Sequence, residues 1–415
     1  MTVRWVIAVL ATGLLMLTGA PAEAGSLANL IPNLFGSDGI VLASPGPGAP
    51  SHEAHFRVDS RGELTTVNDA LRGQLGTFPV PSPASGFTFQ FDPNLGVFSR
   101  STESFGPIFA ERADTIGRGR FSLGVTYSHF TFDKLDGKDL HDGSLQLVFR
   151  HEPTGADRGL PPFFFEADTV TAKIFAEITE DLVVLSANYG ILDNLDVGLA
   201  VPIVRIDMKV KGVATINRIG TAALPGIHRF LDGSDTLTVR ASDESTGLGD
   251  ILLRGKYNFY REKALGLAAA LDLRLPTGDA DELRGLDTVR VRPFLIASSR
   301  IFGISPHAHV GFDLGDSSAV DNELFYNVGF DWPIIQRLTF AFDLLGRYII
   351  DNTRPKPGRA PGSGEITDDH IINASFGVKF NPWQNVLLLF NLLVALNDTG
   401  LRDDITPLVG LQVSF

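Results

Sequence analysis

The side chains whose types and spacing could do chemistry here are histidines and alternating charges. His307-x-His309 puts two imidazoles on one face of a strand, because residues i and i+2 point the same way, and His52-x-x-His55 also has a metal-compatible spacing. Transition-metal sites need at least three protein ligands, and neither pair has a third in register, so no metal is assigned. His129 and His370 would suit a lipid-facing hydrolase. Nothing pairs either with a nucleophilic Ser and an orienting Asn or Asp, which nucleophilic catalysis demands. No catalytic residue and no cofactor is expected, and the chain does not read as an enzyme. The remaining candidates are charges at alternate positions: Asp272 and Arg274; Arg290, Arg292 and Arg300; Asp313, on the same face as the two histidines; Asp343 and Arg347. Turned into an enclosed space with His307 and His309, they make either a self-compensating wall network that supports a barrel or plug, or a selectivity constriction. Inward ionised groups need partners or water in either case.

What must position them is a succession of strands with apolar residues at period two. From Gly119 onward the apolar stripes run Phe121/Leu123/Val125/Tyr127, then Val170/Ala172/Ile174/Ala176/Ile178, then Leu195/Val197/Leu199/Val201/Ile203. The last continues as Val204/Ile206/Met208/Val210, a parity switch near Pro202 that implies a bulge. Further stripes follow at Leu265 to Leu275, Ala308 to Leu314, Leu324 to Trp332, Phe340 to Tyr348, Ile372 to Phe380 and Val386 to Leu396. Short turns (190–194, 261–264, 302–305, 333–337, 381–384) alternate with long loops (213–247, 276–287, 315–322, 351–367, 397–404). A soluble sandwich has no reason to sort its loops this way, whereas a membrane barrel does. The expected fold is all-β: a transmembrane antiparallel up-and-down β-barrel of even strand number with a partly internal amino-terminal segment. The count is twelve to fourteen, depending on whether 169–189 is one strand or a hairpin turning at Glu180-Asp181. The stripes then face lipid. Asp250, Arg254, Lys256 and Lys379 join the charges above inside, with Asp272/Arg274 across a hairpin from Arg290/Arg292. Leu387, Leu389, Leu393 and Ala395, with Leu345 and Ile349, also point inward. Either the amino-terminal segment packs against that aliphatic wall or hydrophobic molecules pass along it.

Composition and the two ends agree with this. The net charge of −13 argues against nucleic acid, and the absence of cysteine removes disulfides, thiolate metal sites and a lipoprotein anchor. Arg4, the apolar run 5–17 and Ala22-Glu-Ala24 read as a secretory signal peptide over 1–24. After it, no stretch approaches the roughly 18–20 apolar residues of a membrane helix. Residues 25–113 read as a periplasmic or lumen-plug segment, with disorder near 36–50, a short helix over 64–75 capped by Asn68 or Thr66, and a small hairpin from 87–91 and 97–99. The barrel is assigned to 114–415. Its last strand ends on Phe415 and resembles the closing strand that the barrel-assembly machinery recognises, with Gly410, Leu411, Val413 and Phe415 as the signal. The expected location is the outer membrane of a Gram-negative bacterium, in contact with lipid and lipopolysaccharide.

Three phrases add a family resemblance. Tyr189-Gly-Ile-Leu-Asp-Asn-Leu-Asp-Val-Gly-Leu-Ala-Val-Pro202, Thr246-Gly-Leu-Gly-Asp-Ile-Leu-Leu-Arg254 and Leu275-Pro-Thr-Gly-Asp279 resemble outer-membrane channels of the phenol meta-degradation type. That group is related more distantly to the long-chain fatty-acid and aromatic-hydrocarbon channels. The resemblance covers about 114–415 and implies passive uptake of small hydrophobic or aromatic compounds. The Asn-Pro-Ala hatch phrase of the fatty-acid channels is absent, so no gating residue is carried over. A structural or adhesive barrel with no selective transport is the alternative.

Overall fold

The computed structural model describes residues 26–44, 51–77, 81–82, 89–92, 97–100, 104–152, 164–221, 227–262, 264–316, 320–350, 369–383 and 385–415. The signal-peptide reading of 1–24 and the loop at 351–367 lie outside them, as do residues 45–50 of the stretch expected to be disordered; its first part, 36–44, is instead ordered, with Ile40 bridged to Phe56 and Leu42 to Phe230 and both side chains buried. The amino-terminal segment holds α1 (Leu27–Leu30), α2 (Arg57–Leu75) and a hairpin of β1 (Phe89–Asp92) with β2 (Val97–Arg100). Then come β3 (Phe121–Phe132), β4 (Lys134–Leu135), β5 (Lys138–Asp139), β6 (Leu145–Arg150), β7 (Thr169–Leu192), β8 (Leu195–Asn217), β9 (Thr236–Leu248) and β10 (Ile251–Arg261). The chain finishes through β11 (Leu265–Leu275), β12 (Arg290–Ser299), β13 (Ser305–Gly315), β14 (Glu323–Ile335), β15 (Leu338–Ile349), β16 (His370–Trp383), β17 (Val386–Ala395), β18 (Leu401–Arg402) and β19 (Ile405–Ser414).

Twelve of these strands form a closed antiparallel ring, in the order β3, β7, β8, β10 to β17, β19 and back to β3. The backbone N–H of Phe415 donates to Phe121 O at 2.7 Å, completing the seam. Closure leaves the ring no unpaired edge, which is what an all-strand structure needs in hydrocarbon. No helix among the described residues is long and apolar enough to cross a membrane. The outer surface carries the expected stripes, with Leu123, Leu253, Leu271, Leu295, Val310, Val328, Phe390 and Val409 exposed. Tyr189, Tyr257, Phe259, Trp332, Trp383 and Phe415 are exposed beside the short turns, an aromatic girdle of the kind that marks a membrane interface. This is a transmembrane barrel.

Two stripes do not face lipid. The β7–β8 hairpin has strands of 24 and 23 residues, about twice the ~9–11 that cross a bilayer. Near its turn it pairs with β3 and β10, as ring members must. Beyond that it pairs with β6 and β9, so the distal halves form a four-stranded sheet standing past the barrel rim. There the outward residues turn polar (Lys173, Glu177, Arg205, Asp207, Lys209, Lys211), while Val170, Ala172, Ile174, Ala176, Ile178, Val204, Ile206, Met208 and Val210 point inward and are buried. No bulge occurs at Pro202: β7 and β8 pair residue for residue through Val184↔Pro202. The parity switch marks a change of surroundings, lipid outside giving way to protein inside, on an unbroken strand. Likewise 213–247 is not one long loop, because β8 continues to Asn217 and β9 returns beside it.

The cover on that inner face is the amino-terminal segment. Helix α2 begins at Arg57, earlier than the capping residues suggest, and Thr66 and Asn68 lie in its interior, Thr66 Oγ1 donating back to Gly62 O at 3.1 Å. Leu64, Val67, Leu71 and Leu75 form one helical face and are buried with the rim-sheet residues in a single apolar core. Gly212 on the sheet has no side chain because Phe35 sits there: a Cβ would lie 2.6 Å from its ring. Leu71→Ala is expected to weaken this docking by about 2–5 kcal/mol. Limited proteolysis should then cut within 57–75 while the barrel keeps its heat-modifiable migration. Unchanged protection of α2 would contradict the packing described.

Candidate functional site

The site is the barrel interior, and a piece of irregular chain runs through it. Residues 104–116 touch β8, β10, β12, β14, β15 and β16 of the wall before a turn delivers the chain to β3. Ser104 Oγ donates to Asp331 on β14, and Phe105 N donates to Thr339 Oγ1 on β15 at 3.1 Å. Ala110 N approaches Asp343 Oδ2 at 3.5 Å, and Ala113 N donates to Ser298 Oγ on β12 at 3.1 Å. Ile116 N donates to Asp196 Oδ2 on β8 at 2.9 Å. The carbonyls are met from the wall too. Lys379 Nζ donates to Phe105 O at 3.2 Å and to Pro107 O, Lys256 Nζ to Arg112 O at 3.3 Å, and Asn258 Nδ2 to Ala113 O at 2.8 Å. A backbone with no sheet or helix ladder must find its partners elsewhere when buried, and here the inward side chains of the strands supply them.

Charge pairing fixes the segment further. Glu111 accepts from Arg254 and, at 3.2 Å, from Lys256, while Arg112 pairs with Asp114 at 2.9 Å and lies 3.8 Å from Asp331. Glu111, Arg112, Lys256 and Lys379 are all buried. Higher in the barrel, Arg274 donates to Gly76 O at the carboxyl end of α2, and Arg347 Nη2 donates to Thr77 Oγ1 at 2.8 Å.

The charges expected at the wall are all inside or at the mouth, but their partners are not all those across the hairpin. Asp272 stands opposite Arg292 and Arg274 opposite Arg290 in the β11–β12 register. Asp272 nevertheless takes a two-pronged contact from Arg254 at 2.5 and 2.6 Å, while Asp313 pairs with Arg290 at 2.6 Å and Arg292 at 3.2 Å. Arg347 clasps Glu323 at 2.7 and 2.8 Å. His307 Nε2 lies 2.7 Å from Asp343 and its Nδ1 lies 3.5 Å from Asp331, whereas His309 is held between the rings of Phe294 and Phe325. Arg300 reaches Asp114 at 2.9 Å from an exposed position. The geometry is therefore a compensated network within the wall, joined by segment 104–116 through Glu111, Arg112 and Asp114. Sequence reading missed Asp331, although parity places it inside because Trp332 is outside. It also missed Glu111 and Arg112, which lie in no periodic stretch.

The aliphatic side of the wall is also occupied. Phe105 packs on Leu387 with Leu389 beside it, and Ile108 sits where a Cβ on Gly377 would collide with it. Below the end of α2 a cavity of ≈ 40 Å³ remains between Leu75, Glu180, Pro202, Asp250 and Arg274, sized for water rather than for an aromatic solute.

Residues 150–400 match the family described as "Putative MetA-pathway of phenol degradation". The chain belongs to that family. No curated protein is similar enough in sequence to match it. Among solved structures, an outer membrane channel from Pseudomonas putida F1 shares 13% identity over 72% of this chain and 96% of its own, with a TM-score of 0.44. The Ralstonia pickettii toluene transporter TbuX shares 16% over 72% and 90%, with a TM-score of 0.36. For this member of the family the contacts of segment 104–116 define a test. Glu111→Leu leaves Arg254 and Lys256 without the carboxylate they share, and breaking a buried pair on one side costs about 3–5 kcal/mol. In planar bilayers the variant should show a higher open probability than wild type, with barrel folding unchanged. Equal conductance traces would show that Glu111 does not hold the segment.

Proposed function

We propose that the chain is an outer-membrane channel for passive uptake of small hydrophobic or aromatic compounds. The observation that carries this is the seat of Phe105 on Leu387 and Leu389: the inner wall already binds a benzyl ring on an aliphatic surface. Burial of a Phe-sized group is favourable by about 1.5–3 kcal/mol, enough to guide a solute and too little to trap it. The phenol-degradation description of the family and the transport of toluene named for TbuX are consistent with this chemistry. The reading is of a conduit rather than a catalyst: His129 lies on the outer surface against Asp181 at 2.8 Å, and His370 packs against the ring of Tyr348. In the conformation described segment 104–116 lies across the interior, so passage requires it to shift from its anchors Arg254, Lys256, Asp331, Asp343 and Lys379, inside a charged wall that also carries Asp272, Arg274, Arg290, Arg292, His307, Asp313 and Arg347. A purely structural or adhesive barrel is the second reading, and the segment lying across the interior favours it.

Uptake of radiolabelled toluene and of a sugar by cells with an intact lipopolysaccharide layer separates the two. The channel should raise toluene entry several-fold and leave the sugar unchanged, and Leu389→Arg, on the inner wall, should abolish the gain at equal barrel levels. No gain for toluene in wild type would leave the adhesive reading standing. We also assign export to the signal peptide over 1–24 and recognition by the barrel-assembly machinery to Gly410, Leu411, Val413 and Phe415. Phe415→Ala should lower the amount of heat-modifiable barrel in the membrane fraction, and a normal amount would refute that assignment.

A further inference from the structure

We propose that His52, His55, His151 and His228 bind one divalent transition-metal ion of the zinc class, which staples the amino-terminal segment to the rim sheet. The four come from distant parts of the chain: two just before α2, one directly after β6, and one in the connection between β8 and β9. Their ligand nitrogens all lie within 4.8 Å of one another. His52 Nδ1 and His55 Nδ1 are 3.2 Å apart. Two nitrogens at about 2.0–2.1 Å from a tetrahedral zinc would be separated by roughly 3.3–3.4 Å, so this pair already has the edge length of such a site.

Two further features point to a ligand. Both ring nitrogens of His151 and Nε2 of His228 are buried without a hydrogen-bond partner among the described residues. Buried polar atoms left this way are uncommon and costly, and a metal ion satisfies them. The second feature is the support behind His228. Its Nδ1 lies 2.9 Å from Asp168 Oδ2, which fixes the tautomer and leaves Nε2 with its lone pair. Asp168 is itself held by the backbone N–H groups of Ile219, Gly220 and Thr221 at 2.9, 2.8 and 3.1 Å and by the Thr221 hydroxyl. A carboxylate oriented this firmly behind an imidazole is the outer shell that metal-ligating histidines use, and it supplies a negative charge to an otherwise neutral donor set. Phe56 and Phe165 wall the cluster, their ring centroids 5.7 Å from His151 and 4.9 Å from His52. The chain has no cysteine with which to tie its segments together. Imidazoles from three segments around one ion serve the same purpose, since binding energy at such a site is folding energy.

The test uses the full-length protein in detergent, stripped with chelator and titrated with Co²⁺ and then Zn²⁺. Wild type should bind about one ion per chain, with the d–d absorption of a tetrahedral cobalt site that zinc abolishes, and X-ray absorption of the zinc form should show a shell of nitrogen ligands. His151→Ala with His228→Ala should remove the signal while the barrel stays heat-modifiable. Asp168→Asn, acting through His228, should weaken affinity about 10–100-fold without abolishing the cobalt spectrum. Folded wild type that takes up no cobalt at micromolar concentration, a zinc shell made of oxygens, or a double variant that binds as tightly as wild type would each overturn the proposal. If the double variant fails to fold, the wild-type titration and absorption data decide alone.

Discussion

An irregular backbone enclosed by a β-barrel has no ladder to bond with, and everything inside this molecule answers to that constraint. Backbone groups of residues 104–116 are met by Thr339, Ser298, Asn258, Asp196, Lys256 and Lys379, inward positions on five different strands. Charges alone would be an expensive way to line a wall, because desolvating an ion costs several kcal/mol that one partner only partly restores. Charges that also serve as donors and acceptors for an enclosed chain recover much of that cost. This explains why Lys379 faces carbonyls, and why Glu111 sits where two cations from β10 converge.

An earlier part of the amino-terminal segment, α2, is tied to the barrel as well. The β7–β8 hairpin changes surroundings along its length, from lipid outside at Val183 and Leu199 to solvent outside at Lys173 and Lys209, while its inner face changes from the barrel interior to the apolar core under α2. The end of α2 is bonded to Arg274 and Arg347 of the barrel wall, and its beginning follows directly on the histidine cluster. The helix therefore links the rim to the interior as one packed body.

For the channel proposed above, a charged wall that holds segment 104–116 stands beside an apolar strip. On that proposal, the strip at Leu387 and Leu389 offers a surface that an aromatic ring can use in place of Phe105. On the same proposal, polar wall and apolar strip have separate duties, one holding segment 104–116 and the other defining what can compete with Phe105.

Much of this was legible in the residues themselves. Period-two alternation from Gly119 onward, sorted turn lengths and the seam at Phe415 determined an even-stranded barrel, and the hairpin register placed Asp272 opposite Arg292 as found. Those are local properties, since a strand's alternation depends only on its own backbone. Alternation distinguishes two faces but does not say what medium covers each. For that reason Val170 to Ile178 and Val204 to Val210 could be read as lipid-facing until α2 was seen to lie on them. The partners of Glu111 and Arg112, and the meeting of His52 and His55 with His151 and His228, were decided only by the tertiary structure. They join residues far apart in the chain through packing that no local period encodes.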